Sequence, residues 1–496
     1  MSPSQYAAVA LDLGSSNGRA IVGVLNGGTL KMQEAHRFPH KVDTVDGALA
    51  WDIDRLLDGA IAGITIARTR VPIPISSIGV DSWGVDYALV KKDGQVALPV
   101  RSYRDTRMAK HREKFEQALP ARRAFELTGI QPADINTANQ LFADLQQHPE
   151  LVDSVERVQL LPDYFASLLC GEQAYGRAIC STTGLATPGA TTWSDEVLDA
   201  LGIPAHWFSD IARDSVVLGP ETITGIPMVR PGGHDTACAV HAIPHEEATD
   251  TESVFISCGS WTLVGAYTDE PVLSDTCFTS GFTNEVRIDG GVRLLKNITG
   301  LWIFQDCMRA WQQAGKNTDL PALLVAAEAS PSMGLVFDPN DEAFTTPGNM
   351  PEKIHMRMRE LYGREPESTG QLIRLILESL AIAHANAVSE VSELTGVRPR
   401  VVNIVGGGSR NGLLCQMTAS ATGLPVLSGP AEASAAGNLL SQFEAIGAIE
   451  PGERDGIIQR SFTPLRFEPH DPTRWNDMRH RLAATHDHAH PSVATR

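Results

Sequence analysis

Positive charge is scarce in this 496-residue sequence: 41 lysines and arginines stand against 59 aspartates and glutamates, a formal charge of −18. That deficit argues against nucleic acid or an anionic membrane as the main partner, because both reward surplus lysine and arginine. Cysteine is sparse and unpaired, with seven residues at 170, 180, 238, 258, 277, 307 and 415 and no CxxC spacing. An odd, dispersed set argues against a disulfide framework and predicts reduced thiols in a cytoplasm. Cys238 and Cys258 are expected to pack rather than react. No uninterrupted apolar run approaches the ~20 residues of a membrane helix. Met1–Tyr6 lacks a basic-then-apolar leader pattern. The expectation is a cytoplasmic protein with no nucleic-acid or membrane partner; monomer and homodimer both stay open.

Hydrophobic residues make up 43% of the chain, ordinary for a globular protein, and its length is too great for one core, so two domains are expected. Three glycine- and hydroxyl-rich turns stand out: Asp12–Arg19 (DLGSSNGR), Ser257–Trp261 (SCGSW) and Val405–Asn411 (VGGGSRN). Each follows or interrupts a β-like apolar run, Ala8–Leu11, Val254–Ile256 and Val401–Val405. Glycine lets several backbone N–H groups aim at one point, and hydroxyls add short-range donors, which is how a protein without a basic surface holds a polyphosphate.

The opening residues read as an α/β domain with hairpins. A strand over Ala7–Leu13 leads through the first turn to Ala20–Leu25, which ends at the hairpin signal Asn26-Gly27-Gly28. Ile53, Leu56, Leu57, Ile61 and Ile64 fall at helical spacing behind Asp52 and Asp54. Ser77–Asp81 predicts a strand, Val85–Val90 another, and residues 104–175 read as mainly helical. The acidic stretch 245–252 marks a break, after which Val254–Cys258 and Trp261–Ala266 repeat the opening scheme of strand, Gly-Ser turn and strand. A long amphipathic helix is predicted over 369–395, with further helices over 411–422 and 432–446. The tail His486–His490 reads as a disordered end rather than a metal site.

Each motif carries a plain and a chemical reading. Asp12, ending a buried strand, either caps its turn or faces phosphates and holds a water on Mg²⁺. The Gly406–Gly408 run is not a dinucleotide fingerprint, since Asn411 stands where the last glycine belongs. Asp235, after Gly232-Gly233-His234, either caps a helix or serves as a base beside phosphate charge, and both can hold at a helix N-terminus. Asp81–Tyr87 (DSWGVDY) mixes carboxylates and aromatics, a combination that binds sugars or simply packs.

Taken together, these segments resemble the FGGY carbohydrate kinases of the actin/hexokinase/Hsp70 superfamily. The resemblance spans roughly Ala8 to Phe467 and rests on Asp12–Arg19, Val80–Tyr87, Tyr103–Arg107, Gly233–Val240, Cys258–Trp261, Lys296–Trp302 and Val405 through Asn438. Cys258–Trp261 and Asn297–Trp302 point within the family to the branch acting on L-rhamnulose. It implies an α/β fold of two ribonuclease-H-like domains around a hinged cleft. A sugar-binding domain is expected over 1–243, an ATP-binding domain over 244–470 whose last helices can pack back on the first, and a partly disordered tail over 471–496. It further implies Asp235 as the base that takes the sugar hydroxyl proton, with Gly84, His234, Thr236 and Asn297 as sugar contacts beside Asp81 and Trp83 of the aromatic segment. Ser15, Ser16, Asn17, Gly18, Arg19, Ser260, Gln305 and Gly407 are the implied ATP contacts, with Asp12 on Mg²⁺ through water. Asn17 departs from the pattern, which usually has a second serine there. The implied reaction moves the γ-phosphoryl group of ATP to the C1 hydroxyl of L-rhamnulose, giving L-rhamnulose 1-phosphate. Another ketose or polyol (L-fuculose, L-ribulose, xylulose), a non-catalytic sugar- or nucleotide-binding regulator and an Hsp70- or actin-like ATPase are the alternatives.

Overall fold

The structure is a computed structural model that describes residues 5–244, 252–344 and 346–489. Residues 245–251 of the acidic stretch, and the side chains of the His486–His490 tail, lie outside the described residues. The chain folds into two compact units, Met1–Glu246 with Tyr267–Leu294 and Glu432–Thr463, and Glu247–Ala266 with Leu295–Ala431 and Pro464–Arg496.

The strands of the first unit are Gln5–Leu13 (β1), Asn17–Asn26 (β2), Thr29–Pro39 (β3), Ile75–Ser82 (β4), Val216–Pro220 (β5) and Pro227–Arg230 (β6). They form one sheet in the order β5-β6-β4-β1-β2-β3. β1 runs antiparallel to β2 and parallel to β4. The near-continuous apolar run of β1 has a simple cause: both faces of the sheet are covered, so alternate side chains enter different layers. Ala7, Val9, Leu11 and Leu13 pack with Leu56, Ala60 and Ile64 of helix Ile53–Arg70. Ala8 and Ala10 pack with Leu439, Leu440 and Phe443 of helix Ala433–Ala445. Asp52 caps the first of these helices by accepting the Arg55 N–H at 3.0 Å. The stretch 104–175 is not all helical. Val155–Leu160 is a strand paired antiparallel with Tyr87–Lys91, a partner too distant in sequence for local periodicity to reveal.

In the second unit, Ser253–Cys258 (β7) pairs antiparallel with Trp261–Thr268 (β8) and parallel with Val401–Val405 (β9). Val426–Ser428 (β10) and Leu465–Phe467 (β11) follow in the sheet. This is the same local scheme as β1, β2 and β4. Helix Thr369–Thr395 starts on Ser368, whose hydroxyl accepts the Gln371 N–H at 3.2 Å, and stops at Gly396 with φ 70°. It is long and apolar enough to cross a membrane, yet 83% of its most apolar window is buried within the protein. All seven cysteines are free thiols, and burial pushes Cys258 up to about 11, as packing rather than reactivity requires.

Candidate active site

In the first unit, register brings three carboxylates together. Asp12 lies opposite Arg19 across β1 and β2, and opposite Asp81 across β1 and β4. At the end of β4, Ser82 bridges in parallel to His234, and the Ser82 N–H donates to the Gly233 carbonyl at 2.9 Å. Gly233 holds φ 64°, a conformation natural to glycine, and so turns the chain into helix Asp235–His241. His234 occupies the cap position, which makes Asp235 the first helical residue rather than the cap itself. The Asp235 Oδ1 accepts the Thr236 N–H at 2.6 Å and the Thr236 hydroxyl at 3.2 Å, and its side chain is 32% exposed.

Arg19 is the cation among these acids. Its guanidinium bridges Asp12 and Glu432. Burial pushes the Asp12 carboxyl up, Arg19 opposes the rise, and Asp235 and Glu432 add to it. Asp81 is wholly buried, and burial followed by the Asp12 charge drives it well above the ordinary carboxylate range. Its Oδ2 accepts from Asn438 Nδ2 at 2.5 Å. Asp81, expected among the sugar contacts, is thus enclosed in the protein, with Oδ2 on Asn438 and Oδ1 without a hydrogen-bond partner among the described residues.

Trp83 is enclosed in the same way. Its ring is buried against Trp51, with centroids 4.4 Å apart, and its indole N–H donates to Asp86 Oδ2 at 2.8 Å. The Trp51 indole donates to the same oxygen at 2.6 Å. Burial outweighs those bonds and lifts Asp86 to about 6. Between them, Val85 sits at φ 70°, a left-handed conformation that a β-branched residue resists. It is held there by the Thr137 hydroxyl and Gln140 Nε2, which donate to its carbonyl at 2.8 and 3.3 Å. A β-carbon on Gly84 would stand 3.1 Å from Thr182 Oγ1. The aromatic pair thus buttresses a strained turn whose tip is Gly84.

The Asp12–Arg19 turn is braced from outside. Gly14 N–H donates to the Asn17 carbonyl at 3.1 Å, and His40 Nε2 donates to the Gly14 carbonyl at 2.7 Å. Arg104 donates to the Ser15 hydroxyl at 3.2 Å, Arg37 donates to Asn17 Oδ1 at 2.9 Å, and Ser16 is exposed.

The second unit carries its own turn. The Ser260 carbonyl accepts the Gly300 and Trp302 N–H groups at 3.2 and 3.1 Å, and Gly259 accepts that of Leu301 at 2.9 Å. The exposed Ser260 hydroxyl donates to Gln305 Oε1 at 2.9 Å, which joins two of the expected ATP contacts, and Asn297 is exposed. The three glycines after β9 have different reasons. A β-carbon on Gly406 would come within 3.0 Å of the Cys258 carbonyl, and one on Gly408 within 2.2 Å of the Cys258 sulfur. Gly407 would meet nothing within 4 Å and is exposed.

Sequence reasoning passed over Glu432, Glu285 and Arg293, and it did not give Asn438 or Gln442 a role. Asn438 and Gln442 stand four apart on an apolar helix, a signal of a buried polar ladder. Glu285 and Arg293 each interrupt a short buried strand, which marks a buried ion pair.

Glycine-hydroxyl turns on strands of both units, with a half-exposed carboxylate at a helix start, define a carbohydrate kinase of ribonuclease-H-like fold once relatives are compared. Residues 7–240 match the N-terminal domain of the FGGY family of carbohydrate kinases and residues 254–446 its C-terminal domain. The chain is 33% identical over 476 residues to the rhamnulokinase of Bacteroides thetaiotaomicron, covering 94% of this chain and 96% of that protein. It is 35% identical over 469 residues to the rhamnulokinase of Klebsiella pneumoniae, covering 92% and 94%. In fold it resembles xylulose kinase from Rhodospirillum rubrum (TM-score 0.77, 18% identity, 98% and 99% covered) and Plasmodium falciparum glycerol kinase with ADP (TM-score 0.75, 13% identity, 99% of each). The chain belongs to the FGGY family of carbohydrate kinases. That membership implies ATP as phosphate donor.

Proposed function

We propose that this kinase transfers the γ-phosphoryl group of ATP to the C1 hydroxyl of L-rhamnulose, giving L-rhamnulose 1-phosphate and ADP. The observation that carries the substrate is the similarity to two rhamnulokinases over more than nine-tenths of the chain. The observation that carries the chemistry is Asp235, with one carboxylate oxygen held by Thr236 and about a third of its side chain open.

Phosphoryl transfer passes through a loose transition state, so the protein mainly aligns groups and stabilises charge. Asp235 orients the C1 hydroxyl and accepts its proton as the new O–P bond forms and the bond to the β-phosphate oxygen breaks. Such a base contributes of order 10²–10⁴ in rate. Gly84, His234, Thr236 and Asn297 contact the sugar, while Trp83 supports the turn that carries Gly84. Ser15, Ser16, Asn17, Gly18, Arg19, Ser260, Gln305 and Gly407 contact the nucleotide.

The donor chemistry of Asp12 suits Mg²⁺: its carboxylate offers hard oxygens, and an ion that keeps much of its water needs few protein ligands. Among the described residues there is no larger His, Cys, Asp and Glu cluster of the kind that encloses a metal. Asp12 would hold the ion through water, and Mg²⁺ when bound offsets the negative charge of the phosphates.

Asp235→Asn tests the assignment: turnover falls to near zero while nucleotide binding stays within about threefold, the loss expected of a base rather than of a binding group. A variant that kept its turnover would overturn it.

A further inference from the structure

One buried charge cluster adjoins the proposed base. Arg293 has no exposed side-chain surface, and its Nη2 lies 2.6 Å from Glu285 Oε2 and 2.6 Å from His234 Nδ1. Its Nε and Nη1 have no hydrogen-bond partner among the described residues. A guanidinium offers only donors, so a contact that short makes the His234 Nδ1 lone pair the acceptor. Glu285 Oε2 also approaches Nδ1, at 3.4 Å, and would take a hydrogen from it. The shorter contact decides, because a hydrogen on Nδ1 would collide with the N–H of Arg293. A neutral imidazole with a bare Nδ1 carries its hydrogen on Nε2, and that atom lies 3.3 Å from Asp235 Oδ1.

We propose that Arg293 is a positioning residue: it fixes His234 as the Nε2–H tautomer, so that the imidazole braces Asp235 Oδ1 and leaves Oδ2 to receive the sugar proton. The inference rests on Asp235 being the base. The Thr236 N–H and hydroxyl already hold Oδ1, and the imidazole hydrogen on the nearby Nε2 adds electrostatic attraction to the same oxygen. In the transfer, the C1 hydroxyl proton passes to Oδ2, the C1 oxygen bonds to phosphorus, and the electron pair of the broken bond leaves with the β-phosphate. His234 keeps its own hydrogen throughout. Glu285 balances the buried cation: burial raises its carboxyl, and the Arg293 charge lowers it.

¹⁵N-histidine-labelled protein at neutral pH, with the His234 signals identified by their loss in His234→Gln, reads the tautomer directly. A hydrogen on Nε2 with bare Nδ1 is expected. A hydrogen on Nδ1, or a doubly protonated ring, overturns the proposal. The paired variant Arg293→Met with Glu285→Gln removes both charges and so leaves no lone buried carboxylate. It is expected to show mixed His234 tautomers and a kcat lower by roughly 10- to 100-fold, with the ADP Kd within threefold. A folded pair with unchanged tautomer and kcat overturns the proposal, and should the pair not fold, the wild-type spectrum still decides. If Asp235→Asn retains turnover while His234 carries its hydrogen on Nε2, the base assignment falls and the tautomer assignment stands.

Discussion

A β-carbon on residue 437 would stand 1.8 Å from the carbonyl oxygen of Cys238, so only glycine fits where helix Ala433–Ala445 crosses helix Asp235–His241. The next residue, Asn438, reaches Asp81, and Gln442 one turn on donates to Asn438 Oδ1 at 2.6 Å and to the Val9 carbonyl at 3.0 Å. The helix that carries Asp235 is therefore seated against a fixed polar ladder. Gly437→Ala forces the two helices apart. A loss of about 1–3 kcal/mol is expected by chemical denaturation, the usual range for overpacking, with kcat falling more than the sugar KM.

The glycines after β9 separate packing from binding. Gly408→Ala collides with the Cys258 sulfur, whereas Gly407 faces open space. Thermal melts should show Gly408→Ala destabilised and Gly407→Val close to wild type. Steady-state kinetics should nevertheless show a raised ATP KM for Gly407→Val, since backbone approach to a phosphate tolerates no bulk.

Arg19 ties two carboxylates, one of them buried. Arg19→Ala strands Asp12 in the interior, and removing one partner of a buried pair costs about 3 kcal/mol. Adding Asp12→Asn removes the stranded charge and should restore most of that stability in denaturant melts, while turnover stays low because the proposed metal contact is gone.

Buried carboxyls and a buried histidine act on stability in opposite pH directions. Burial raises Asp163 and Asp214 to about 7 each. Both bind their proton more tightly folded than unfolded, where a carboxyl titrates near ~3.9. Their contribution is complete below that value and is lost as pH rises through 7. Burial lowers His384, in the second unit, to about 4. Its contribution is present above ~6.5, the unfolded value, and is lost as pH falls through 4. Asp214→Asn should flatten the alkaline fall in melting temperature between pH 5 and 8, and His384→Leu the acid fall between pH 6.5 and 4.

How far the sequence reached depended on how local the cause was. The hairpin at Asn26-Gly27-Gly28, the capped helix after Asp52 and the buried run of β1 are set by neighbours within a turn or two, and they stand where expected. The glycine- and hydroxyl-rich turns and the helix start at Asp235 were legible as turns and a helix end, because glycine and short hydroxyl side chains punctuate the ends of apolar strands. For Asp81 and Trp83 two readings stood open, because composition does not tell a sugar platform from a packed buttress; the indole bonds to Asp86 and the Asn438 bond to Asp81 show how they pack. The left-handed Val85 and the link from Arg293 to His234 depend on partners about fifty residues or more away, which no local pattern encodes.

The most direct measurement is coupled ADP release across L- and D-ketoses and polyols, with the product identified by mass spectrometry and by the position of its phosphate. Highest kcat/KM on L-rhamnulose with phosphate on C1 is the expected result. Preference for another ketose, or ADP release at the same rate without any sugar, would contradict it.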